Sequence, residues 1–97
     1  MTKLERIEKI LKRQKPILKK KYKIKELGIF GSYIRGDYKK GSDLDLLVDF
    51  SEIPGLFKFV EIGDYLSDIA GVKVDLVMRD ALKPSLKKYI IKEVKYI

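Results

Sequence analysis

Two aspartates open an apolar run in S42-D-L-D-L-L-V48, and their spacing raises a chemical question. On a strand, residues 43 and 45 project to one face while Leu44 and Leu46 turn to the other. Two carboxylates held about 4 Å apart repel by about 4 kcal/mol at an effective dielectric near 20. A shared proton, a lysine or a cation must offset that repulsion. A third acid, Asp75, lies inside a second apolar run, V74-D-L-V-M78. A third carboxylate at the same place would favour a hard divalent ion over the other two remedies. The chain contains neither histidine nor cysteine, so oxygen is the only ligand type for a metal, which points to Mg²⁺ or Mn²⁺. Three carboxylates could hold two such ions at about the 3.5–4 Å spacing used for phosphoryl transfer.

The complementary half is G31-S-Y-I-R35. A glycine at a strand end lets the backbone approach a phosphate, and amides of the following turn can donate to its oxygens together with the Ser32 hydroxyl. Arg35, one turn later, offers a cation. Each signal has an ordinary structural explanation when taken alone: a Gly-Ser turn, a solvated Asp-x-Asp edge, a surface arginine, an aspartate paired with lysine. Their conjunction at one place is what carries the functional reading.

That conjunction depends on the elements around them. Thr2 and Glu5 have capping-box spacing, and Leu4, Ile7, Ile10 and Leu11 form a helical stripe, so a first helix is expected from about residue 3. Pro16 predicts a kink or break, with Ile17 and Leu18 resuming the apolar face to about Lys21. A strand is expected over Ile24 to Phe30, a short helical turn over Tyr33 to Arg35, turn material over Gly36 to Gly41, and a second strand over Leu44 to Phe50. The second helix runs from Leu56 to Ala70 with Gly71 as its cap. A third strand covers Val72 to Met78, and Pro84 starts a final helix presenting Leu86, Tyr89, Ile90 and Val94. This order predicts an α/β (α+β) two-layer sandwich with a small mixed three-stranded sheet, in one domain spanning residues 1–97. The helix-bearing connection between strands 2 and 3 predicts a parallel pair, and the short irregular one between strands 1 and 2 permits an antiparallel pair. The end of strand 1 then lies beside the starts of strands 2 and 3.

Composition narrows the classes. Of the 97 residues, 45% are hydrophobic and 37% charged, which describes a folded domain with a charged exterior. No apolar run reaches membrane-spanning length and the N-terminus lacks a signal-peptide core, so a cytoplasmic location is expected. The net charge of +8 is uneven. Residues 1–25 hold eleven basic and two acidic side chains, residues 26–78 five and ten, and residues 79–97 six and two. Basic ends suit a polyanion or an acidic protein surface, although solvated helix faces give the same pattern.

The string G31-S-Y-I-R-G36, followed by S42-D-L-D-L-L-V48 and V74-D-L76, resembles the DNA polymerase β-like nucleotidyltransferase superfamily, and within it the minimal nucleotidyltransferases. The resemblance extends over nearly the whole chain; Ile34 departs from it, standing where a small residue is usual. It implies the polymerase β-like fold, with Asp43, Asp45 and Asp75 as catalytic metal ligands for two Mg²⁺ ions. Gly31 and Ser32 would hold the triphosphate, and Arg35 and Ser42 are further nucleotide-binding positions. It also implies transfer of AMP from ATP to a hydroxyl, such as a tyrosine, on a HEPN-domain toxin for which the chain serves as antitoxin. A catalytically idle antitoxin acting by contact and a basic nucleic-acid-binding module are the alternatives. The second is disfavoured because residues 1–25 interleave only Tyr22 among their cations.

Overall fold

A computed structural model describes residues 1–97. Helix α1 (Lys3–Tyr22) is followed by strand β1 (Ile24–Phe30), the short helix α2 (Ser32–Arg35), strand β2 (Leu44–Phe50) and helix α3 (Leu56–Ala70). Strand β3 (Val74–Met78), a 3₁₀ turn (Arg79–Ala81), helix α4 (Pro84–Glu93) and strand β4 (Lys95–Tyr96) complete the chain. The sheet order is β3-β2-β1-β4, with β2–β3 parallel and both other pairs antiparallel. The sheet therefore has four strands, where three were expected. The additional strand is only two residues long, too short to show any alternation in the sequence. It fits against β1 because position 28 is glycine: a Cβ there would run into the side chains of Val94 and Tyr96.

The start of α1 follows from its cap. The Thr2 hydroxyl accepts from the Glu5 amide, and the Glu5 carboxylate accepts from the Thr2 amide, both at 3.1 Å. The helix then continues through Pro16 without the expected break. Pro16 lies on the exposed side, where water can satisfy the Lys12 carbonyl that it leaves without a donor. Ile7 and Leu11 before it and Leu18 after it remain in one buried core.

That core also fixes which sheet face is left for chemistry. Leu27 and Ile29 of β1 and Leu44, Leu46 and Val48 of β2 are packed in one cluster with Ile7, Leu11 and Leu18 of α1 and Ile62 and Leu66 of α3. Alternation then turns Gly28, Phe30, Asp45 and Leu47 to the opposite face. Leu46 is fully buried at the centre of the sheet. Removing such a side chain costs about 2–5 kcal/mol. Helix α4 starts at Pro84 as expected, but it has no fully buried residue, and Leu86 and Tyr89 are exposed.

Candidate active site

Strand register brings the separated motifs together. Phe30 stands opposite Asp45 across the β1–β2 ladder, and Asp45 stands opposite Asp75 across the β2–β3 ladder. The end of β1 and the beginnings of β2 and β3 thus meet at one sheet edge. Asp45 and Asp75, level in adjacent parallel strands, present their side chains on the face turned away from α1 and α3.

The turn leaving β1 packs directly on Asp45. Gly31 has φ 77° and ψ −149°, a conformation open essentially to glycine alone. A Cβ at this position would collide with the Asp45 carboxylate. Glycine therefore serves two needs here: an otherwise strained backbone and close approach of the main chain to an acid. The Gly31 carbonyl accepts from the Ile34 and Arg35 amides, each at 3.0 Å, and the Ser32 carbonyl accepts from Gly36 at 2.9 Å. These bonds coil residues 32–35 into α2 and hold Ser32 at its head. Ile34 fits without disruption, packing partly buried against the core behind the turn.

The loop between α2 and β2 is held by an aromatic pair. Tyr38 stacks on Tyr33, whose ring is buried, with centroids 4.2 Å apart and planes 4° from parallel. The Ser42 hydroxyl accepts from the Lys39 amide at 2.8 Å, and the Ser42 amide donates to the Lys39 carbonyl at 2.9 Å. Ser42 thus closes the turn that delivers the chain into β2. Asp43 follows it, exposed and one residue before β2 begins.

Electrostatics mark Asp45 as the centre of the group. Burial pushes its carboxyl above the ordinary value of 3.8, and the nearby charges of Asp75 and Asp43 push the same way. The Arg35 guanidinium pulls it down, and a hydrogen bond with Asp75 favours the protonated form. Arg35 is itself ion-paired, to Glu93 at 3.0 Å and Asp37 at 3.5 Å. The structure thus joins Gly31, Ser32, Arg35, Asp45 and Asp75 at one edge. It does not draw all three aspartates into a tight set, and no group of three acidic side chains is close enough to hold a metal as it stands. Asp43 is exposed and lies one residue before β2, outside the ladder that aligns Asp45 with Asp75. The donor set nevertheless fits a hard divalent ion: it is all oxygen, and the Asp45–Asp75 pair is mutually repulsive unless a proton or cation is shared.

Glu93 was not singled out by sequence spacing. It lies 62 positions beyond Gly31, yet its carboxylate accepts from the Gly31 amide at 2.9 Å. The one available clue was that it is the sole acid in the lysine-rich segment P84-S-L-K-K-Y-I-I-K-E93. The site is an open shelf: Ser32 and Asp45 line none of the five main cavities, and Asp75 borders a shallow one of about 280 Å³ shared with Phe59, Gly63 and Ser67 of α3. The largest, about 600 Å³, lies between α1 and the outer side of β1 and β4.

Comparison with known proteins agrees with this geometry. The nucleotidyltransferase domain family matches residues 11–97. The protein adenylyltransferase MntA of Thermococcus cleftensis is 47% identical over 97 residues, covering 100% of this chain and 98% of that protein. A solved structure assigned as a minimal nucleotidyltransferase superposes with a TM-score of 0.73 at 31% identity, covering 92% of this chain and 93% of its own. The fold also recurs in a complex of tri-AMPylated Shewanella oneidensis HEPN toxin with its MNT antitoxin. There the TM-score is 0.67 at 20% identity, covering 98% of this chain and 71% of that one. With a Gly-Ser turn resting on Asp45, which stands level with Asp75 at one sheet edge, and with these matches over nearly its whole length, the chain belongs to the nucleotidyltransferase domain family.

Proposed function

We propose that residues 1–97 act as one catalytic unit that transfers AMP from ATP to a hydroxyl on a HEPN-domain toxin, as the antitoxin of that pair. The observation that carries this reading is the level placement of Asp45 and Asp75 across β2–β3, with the Gly31 backbone packed on the Asp45 carboxylate. A glycine turn suited to phosphate and an aspartate pair suited to a divalent ion thereby share one edge. Transfer to another protein is supported by the relative named as a protein adenylyltransferase and by the fold shared with the antitoxin of an AMPylated HEPN toxin. ATP as the donor suits a cytoplasmic setting.

Each residue has a separable task. Asp43, Asp45 and Asp75 would hold Mg²⁺, as two ions, with Mn²⁺ as the alternative. Bound there, the metal supplies neutralisation of the triphosphate and electrophilic activation of the α-phosphorus. Ser32 and the amides of its turn hold triphosphate oxygens, and Arg35 adds positive charge beside them. Ser42 holds the loop that sets Asp43. Asp75 orients the acceptor hydroxyl and takes its proton. The acceptor oxygen then bonds to the α-phosphorus, the bridging bond to the β-phosphate breaks, and pyrophosphate leaves with the electron pair. An open shelf suits an acceptor delivered on a second polypeptide.

The test is a labelling reaction with the purified protein, α-labelled ATP, Mg²⁺ and the HEPN protein encoded beside it. Label should appear on the partner with wild type and be absent with Asp43→Asn or Asp45→Asn. Neutralisation of the partner without any transfer by wild type, and undiminished in both variants, would replace this reading with inhibition by contact.

A further inference from the structure

The structure assigns Glu93, at the end of α4, the role of positioning residue for the triphosphate-binding turn, an inference that rests on the nucleotidyl-transfer reading above. Its two carboxylate oxygens are divided between two targets. Oε2 accepts from the Gly31 amide at 2.9 Å, and Oε1 accepts from Arg35 Nη1 at 3.0 Å. One side chain therefore bridges the main chain of the turn and the cation that follows it. Both bonds are charge-assisted and stronger than neutral ones of the same length.

The geometry explains why the turn needs such a brace. Gly31 can rotate more freely than any other residue, and its positive φ is what allows the backbone to lie on Asp45. Its carbonyl is already committed to the Ile34 and Arg35 amides. The bond to Glu93 commits its amide as well, so both polar groups of Gly31 are tied and the head of α2 is held in place. The brace approaches from the β4 side of β1, whereas Asp45 lies on the β2 side. Glu93 thus steadies the turn without competing for the catalytic shelf.

The segment bearing Glu93 is anchored independently. Two residues on, Lys95 Nζ pairs with Glu8 of α1 at 3.2 Å. Val94 and Tyr96 flank the surface of Gly28, and the Ile97 amide donates to the Leu27 carbonyl at 2.9 Å. A carboxylate mounted on so fixed a strut is a firm support for a glycine turn.

The experiment measures initial rates of AMP transfer against ATP concentration for wild type, Glu93→Ala and Glu93→Gln. Amide hydrogen exchange at Gly31 is followed in the same three proteins. Loss of a charge-assisted bond that orders the turn should raise KM for ATP about tenfold in Glu93→Ala, with little change in kcat. Glu93→Gln keeps an acceptor for the Gly31 amide and should fall between the two, with Gly31 still protected from exchange. A wild-type KM in Glu93→Ala, or a fall in kcat alone as expected from a smaller folded fraction, overturns the inference. Should wild type itself transfer no AMP, the nucleotidyl-transfer reading fails and exchange alone decides the brace. Faster exchange at Gly31 in Glu93→Ala then upholds it, and unchanged exchange overturns it.

Discussion

Replacing Asp45 by asparagine should stabilise the metal-free protein while abolishing its activity. Asp45 is held against Gly31 and faces Asp75 across the parallel ladder. Its carboxyl titrates above the ordinary value of 3.8, chiefly through burial and then through Asp75 and Asp43. A carboxyl raised in the fold favours folding below its unfolded value, and that contribution is lost as pH rises through the folded value. At pH 7 the ionised group is therefore a net liability when no cation is present. Two unit charges about 5 Å apart repel by about 0.8 kcal/mol in water and by about 3 kcal/mol at a dielectric of 20. Asp45 is only partly buried, so solvent screening lowers the higher figure and about 1 kcal/mol is the expectation. For a chain of this length that corresponds to a rise in Tm of about 5 °C. Thermal melts in EDTA at pH 7 should show this gain for Asp45→Asn. The gain should shrink as pH falls, because the raised wild-type carboxyl takes up its proton before an ordinary aspartate would. A Tm in EDTA equal to or below wild type would refute the reasoning, since the carboxylate would then be making net favourable contacts.

Other expectations follow from the same geometry. Gly31→Ala places a Cβ against the Asp45 carboxylate at a positive φ; it should destabilise by about 1–3 kcal/mol and remove AMP transfer, as read by urea unfolding and the labelling assay. ATP should raise the Tm of wild type more with Mg²⁺ than with EDTA, and an equal rise in both would argue against metal-dependent triphosphate binding. Leu46→Ala, at the buried centre of the sheet, should cost about 2–5 kcal/mol in urea unfolding. In the fraction that stays folded, KM for ATP should remain at the wild-type value.

The site was legible in unequal degrees. Asp43 and Asp45 announce themselves because strand alternation is a local rule, and their apolar neighbours Leu44 and Leu46 confirm which face is which. Gly31 was visible as a glycine ending an apolar strand, though its collision with Asp45 required the β1–β2 register. Ser42 was noticed through its motif, and the structure engages it in closing the turn after Lys39. Pro16 illustrates the reverse: its local tendency to break a helix was overridden because apolar residues on both sides belong to one core. Glu93 had no local signature at all. A carboxylate reaching across more than sixty residues acts through proximity that only the folded chain creates.

The sequence by itself determined the element order, the capping of α1, the parallel character of β2–β3 and the oxygen-only donor set of the candidate site. These follow from short-range rules of periodicity, turn stereochemistry and ligand type, which operate within a few residues. Tertiary structure alone decided the fourth strand, the packing of Gly31 on Asp45 and the bridge from Glu93 to Gly31 and Arg35. Each of those depends on the approach of segments distant in the chain. Such approaches are set by burial of the shared core and by charge repulsion at its edge, quantities that no local window of sequence contains.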